Sequence, residues 1–265
     1  MFHFVLCLLL FSVACLSAEL TPTEIVQRAC DREAANQEVR RQYTFRETMR
    51  QRAVKRDTHE AHDIFYIGGK EHRKLVEKNG ALLSAEQAAK EQARLDKELA
   101  KFRREPPEKA QKRLAEDRKE QQEFRDQVAQ AFHFRLVGEE DISGKTCYRI
   151  HAEPKPNYKA KGDAKVLSKL KGDIWIDKTG FHWAKVDLES VESISGLGGL
   201  VRLAKGTRLV TTRTFVNNEV WFPERIDVKA TAKALLFLST ALDLQVQYSN
   251  FKKFSVDSKV LFAGE

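Results

Sequence analysis

Few residues in this sequence could do chemistry, and their spacing argues against most of what they might do. His59 and His62, in H-E-A-H, come nearest to a metal pair. A zinc-binding helix sets its two histidines four apart so that both fall on one face. Here the interval is three, in a segment whose alternation predicts a strand, so the rings point to opposite faces and read as two exposed histidines. Asp173 and Asp177 flank Ile174-Trp175-Ile176 on one strand face. Four residues of extended chain hold them roughly 13 Å apart, too far for a carboxylate pair, and both read as solvent-side residues. No G-x-S-x-G seats a nucleophilic serine. G-L-G-G-L at 196–200 lacks dinucleotide-loop spacing and reads as a hinge or loop tip. There is no P-loop, Cys cluster or EF-hand loop. The reading is of a protein that is not an enzyme and holds no cofactor and no metal.

The four cysteines are Cys7, Cys15, Cys30 and Cys147. The first two lie in an N-terminal segment with the pattern of a cleavable secretory signal. Residues 4–13, FVLCLLLFSV, form an apolar run too short to span a bilayer. The small residues Ala14, Ser17 and Ala18 follow, and polar sequence begins at Glu19. Cleavage after Ser17 or Ala18 would leave residues 19–265 in a periplasmic or secreted setting. A second reading acylates Cys15 as a lipid anchor, although Ser12 stands where such signals customarily carry Leu. After processing only Cys30 and Cys147 remain, and an oxidising compartment would permit a bridge between them. Two free, buried thiols are the alternative.

The elements that must position any site are mostly strands. Thr21-Pro22-Thr23-Glu24 has the capping-box and first-turn proline signature of a helix start, with the helix running to about Arg41. Strands are predicted over 43–52, ending at Ile67, and over 70–77, with turns at Gly68-Gly69 and Asn79-Gly80. Residues 84–131 break this rhythm. They contain no glycine, their apolar points recur at helical spacing, and Glu105-Pro106-Pro107-Glu108 divides them, which predicts two helices inserted as a hairpin. From Phe132 onward the chain is nearly all strand, with a hairpin turn at Asn217-Asn218 and a short helix expected at 200–204. Strands such as 184–189 alternate apolar and polar residues, which marks an antiparallel sheet packed on one side. The expectation is α+β: about ten strands in meander order, a leading helix, and the inserted hairpin within one domain of residues 19–265.

The chain carries a net charge of +8, none of it in residues 1–18. Six lysines crowd residues 155–171, opposed only by Asp163. Such a balance suits anionic partners; export points away from nucleic acid and toward a membrane surface.

Three phrases in the second half carry a resemblance: Gly172-Asp173-Ile174-Trp175-Ile176-Asp177, then Asn218-Glu219-Val220-Trp221-Phe222-Pro223, then Tyr248-Ser249-Asn250-Phe251-Lys252-Lys253-Phe254. With the strand rhythm over 132–254, they resemble the outer-membrane lipoprotein-sorting (LolA-like) superfamily. The resemblance implies a curved antiparallel half-barrel around an apolar cavity, and an exported carrier of lipid or acylated protein. The concave wall would be Phe45, Ile174, Ile176, Val186, Leu188, Ile226, Val228, Leu244 and Val246. Lys159, Lys161, Lys165 and Lys169 would meet anionic headgroups. The inserted hairpin sets a second expectation, an envelope scaffold or sensor that binds a partner protein through it.

Overall fold

The computed structural model describes residues 19–53, 56–196, 201–234 and 239–254. The signal segment, Cys15 and the G-L-G-G-L tip from residue 197 onward lie outside these.

Helix α1, Pro22–Arg40, starts as its sequence demands. The Thr21 hydroxyl accepts from the Glu24 amide, and the Glu24 carboxylate accepts from the Thr21 amide. Strands β1 (Tyr43–Ala53), β2 (Arg56–Ile67), β3 (Lys70–Lys78) and β4 (Ala81–Leu82) follow as a meander. Helices α2 (Ala85–Arg103) and α3 (Pro107–Ala131) meet at the proline corner. Then come β5 (Phe132–Ile142), β6 (Lys145–Pro154), a 3-10 helix (Gly162–Lys169), β7 (Leu170–Asp177), β8 (Trp183–Ser190), β9 (Ile194–Gly196), β10 (Val201–Leu203), β11 (Arg208–Val216), β12 (Val220–Ala234) and β13 (Ser239–Lys253). The ten long strands are those expected. β4, β9 and β10 add three short ones. β10 takes the place of the short helix expected at 200–204, because its backbone pairs with both β12 and β9.

All pairings are antiparallel, in the order β4-β3-β2-β1-β13-β12-β11-β8-β7-β6-β5. The order is not a simple meander, because β1 pairs with β13, the last strand. The chain therefore leaves one edge of the sheet at β4 and re-enters at the other edge as β5, carried across by α2 and α3. This crossing requires curvature. Nine inter-strand steps separate β3 from β5, ~43 Å across a flat sheet. Leu114 of α3 touches Gly69 between β2 and β3, yet β5 begins at Phe132, only ~27 Å further along the helix. The sheet is an open, curled half-barrel with α1 and α3 on its concave side.

The two inserted helices spend their apolar positions on the rest of the domain. Leu95 is buried where α2 docks on β3, and Phe102 packs edge-on against the His72 ring. Gly68 and Gly69 make this close approach possible. Both have positive φ, and a Cβ on either would fall within 3 Å of Phe102 or Leu114.

Candidate functional site

Register decides which side chains share the concave face, since directly paired residues lie on one side of a sheet. Two cross-strand rows run the width of it. In the first, Ile150 pairs with Ile174, Ile174 with Val186, Val186 with Thr211, Thr211 with Ile226, Ile226 with Val246 and Val246 with Met49. In the second, Ala152 pairs with Gly172, and the row continues through Leu188, Leu209, Val228 and Leu244. The wall residues inferred from sequence thus share one face, but they do different work. Ile174 and Ile176 are core, buried with Ile150 beneath Ile25, Val26, Ala29 and Cys30 of α1. Val186 and Leu188 flank that cluster, partly buried. Ile226, Val228 and Leu244 are half-buried along the row. Val246 and Phe45 are each 8% exposed.

Beyond α1 the face opens into a cavity of about 520 Å³ between the end of α1, α3 and strands β1, β2, β12 and β13. Its floor is Phe45, Ile64, Phe222 and Tyr248. Phe222 meets Phe45 at 5.4 Å between ring centroids, edge to face. Tyr248 and Val246 are two apart on β13, so the floor runs directly into the first apolar row. The rim is charged: Arg40 and Arg41 from α1, Lys70 from β3 and Arg113 from α3, against Glu47, Glu71 and Asp117. Arg40 is committed to Glu33 at 2.6 Å and Arg41 to Glu38 at 2.8 Å. Arg113 reaches Glu105 at 3.2 Å, while its buried Nε has no partner among the described residues. Burial pushes the Tyr248 hydroxyl above its ordinary value, and the neighbouring Glu47 adds to the rise. Burial likewise raises Tyr66, helped by Glu71. The phenols stay neutral, so the cavity offers aromatic surface within a rim of mixed charge. Its size falls within the range of small-molecule sites.

α1 is held over the sheet by two contacts that sequence reading missed. Asn36, buried, donates to the Trp221 carbonyl and accepts from the Trp221 amide, both at 2.8 Å. Glu33 accepts from both terminal nitrogens of Arg213, at 2.8 and 2.9 Å. Burial works against the charge on Glu33, but Arg213 and Arg40 outweigh it and hold the carboxyl below the usual range. Partners 180 or more positions apart leave no local signal.

Other expectations need correction. Cys30 and Cys147 are both free and buried. Cys30 belongs to the concave core under α1, whereas Cys147 packs with Trp175, Ala184 and Trp221 on the other side of the sheet. A bridge would have to pass through the sheet. Burial pushes the Cys30 thiol to about 12 and the Cys147 thiol to about 11. Asp177 is not a solvent-side residue. It is 3% exposed and closes its turn by accepting from the Thr179 and Gly180 amides. Asp173 accepts from Arg149 and His151. His59 and His62 are half-buried, not exposed, and no group of metal-ligating residues occurs among the described residues. The four lysines lie away from the cavity, on and beside the 3-10 helix at the β6 end of the sheet. Lys159, Lys161 and Lys165 are exposed, while Lys169 donates to the Ser193 carbonyl at 3.0 Å.

The fold and site define an open antiparallel half-barrel with a helix-roofed, amphiphilic cavity. No protein-family model and no curated protein matches the sequence. Solved structures do. A LolA superfamily protein of Nitrosomonas europaea is 11% identical, with 91% of this chain and 97% of that one covered at a TM-score of 0.30. An outer membrane lipoprotein-sorting protein domain of Vibrio parahaemolyticus is 10% identical over 89% and 98%, at 0.34. The MucA/MucB complex of Pseudomonas aeruginosa contains a chain 12% identical over 86% and 99%, at 0.25. No helix of the described residues is long and apolar enough to cross a membrane.

Proposed function

We propose that this protein is an exported, non-enzymatic carrier that holds an acyl lipid, or the acyl group of a lipidated protein, on the concave face of its sheet. The observation that supports this most directly is the cavity floor of Phe45, Ile64, Phe222 and Tyr248, set on the same sheet face as Val246 and the half-buried Ile226, Val228 and Leu244. The acyl chain lies along the rows, and the anionic end sits at the rim beside Lys70, the rim cation not committed to a carboxylate among the described residues. The chemistry offered is binding, with aromatic and aliphatic walls excluding water and a cation meeting the head. The scaffold alternative, docking through α2 and α3, has less behind it. Leu95, Phe102, Leu114 and Val128 are used on the domain itself, and only Phe124 of these helices is a large apolar residue counted as exposed.

The test is lipid extraction from protein purified without detergent, followed by mass spectrometry and uptake of a fluorescent fatty acid by the emptied protein. Stoichiometric acyl lipid and saturable uptake are expected. An empty protein that also takes up no probe overturns the reading.

A further inference from the structure

We propose that residues 155–171 form a docking surface for an anionic bilayer, separate from the cavity. The inference begins with charge. This segment holds six lysines against one aspartate, a net +5 of the chain's +8. Among the described residues, none of these lysines lies within ion-pair distance of a carboxylate, whereas three of the six lysines of α2 and α3 pair along their helix. Lys90 meets Glu86, Lys112 meets Glu116 and Lys119 meets Glu123.

Local structure then turns the lysines outward together. A 3-10 helix repeats every three residues, and Ala164, Leu167 and Leu170 follow that period into the interior, at 1%, 7% and 8% exposure. Ala164 and Leu167 pack with Ala131, Phe132 and Ala152. Lys165 and Lys171 are left exposed, as are Lys159 and Lys161 just upstream. The segment is also pinned in place. The Lys161 amide donates to the Gln127 side chain of α3 at 2.7 Å, and the Lys155 amide donates to the Ala131 carbonyl at 2.8 Å. A fixed, unneutralised lysine surface attracts an anionic bilayer, each lysine near the headgroups adding to the attraction.

A second observation points to the same side of the molecule. Lys155 and Tyr158 line an open trough with Thr23, in the first turn of α1. The trough carries the exposed surface across to α1 with no acidic side chain in its lining.

Co-sedimentation with vesicles of phosphatidylcholine, with and without phosphatidylglycerol, tests this. Wild type is expected to bind only the anionic vesicles, more weakly as salt rises. Replacing Lys159, Lys161 and Lys165 by Ala should lower partitioning about 100-fold, and replacing them by Arg should preserve it. The control Lys90→Ala/Lys112→Ala/Lys119→Ala removes the same charge from the helices and should leave binding within about twofold. Equal losses in the two triple variants would mean that net charge, not this surface, drives binding, and would overturn the proposal. So would equal binding to neutral vesicles, no binding to either kind, or binding to heparin without binding to anionic vesicles. Vesicle docking and fatty-acid uptake are separate readouts, so failure of one is not failure of the other.

Discussion

The two ends of the concave face carry the same alternation and reach opposite outcomes. At the β6–β7 end, Ile150 and Ile174 lie under α1 and are at most 4% exposed. At the β12–β13 end, Ile226, Val228 and Leu244 continue the same rows and stay half-buried. An inward apolar side chain becomes fully or only partly buried according to what covers it, and strand pattern does not report the cover. The comparison separates a filled end, which holds the fold together, from the end on which the proposed binding rests.

The largest expected contrast comes from truncating the filled end. Ile176→Ala should cost about 2–5 kcal/mol of unfolding free energy, with little change in fatty-acid affinity beyond that owed to unfolding. Denaturant melts read this, and an Ile176→Ala protein as stable as wild type would break the comparison. Next is the α1 tether. Asn36→Ala strands the Trp221 amide and carbonyl in the interior and should cost about 1–3 kcal/mol. Leu244→Arg, at the open end, should weaken probe uptake at least about tenfold while shifting the melting temperature far less than Ile176→Ala does. Equal uptake would show that the half-buried rows are not a ligand wall.

The smallest effect is in acid. The folded-state pKa of Glu33 is depressed, so its contribution to stability is present above the ordinary value of about 4.5 and is lost as pH falls through the lower folded value. The wild-type melting temperature should drop across that window. Glu33→Gln should start lower at neutral pH and decline less, and parallel curves would show that the ion pair with Arg213 does not stabilise the seating of α1.

Much of the fold was legible because its causes are local. The Thr21–Glu24 capping box, the proline corner between α2 and α3, and the alternation of β8 each act within a few residues of themselves. Asn217 and Asn218, with φ of 51° and 54°, form the hairpin turn their identity suggests. Corrections came where a residue's neighbours are distant in sequence. Asp177 looked solvent-facing because alternation gives only a side, while the backbone amides of its turn drew it inside. Cys30 and Cys147 looked pairable until register placed them on opposite sides of the sheet. The 200–204 segment reads as helix in isolation, yet Val201–Leu203 form a strand because β12 offers a pairing edge.

The sequence by itself determined most of the secondary structure, the one-sided sheet and the uneven charge, since periodicity and composition act through nearest neighbours. Tertiary structure decided the rest: that β1 joins β13, that the sheet curls enough for α3 to cross it, that Arg213 and Trp221 seat α1, and that the cavity opens where α1 ends. Those outcomes depend on contacts between residues far apart in the chain, and no local pattern encodes which distant group will arrive to cover an apolar face.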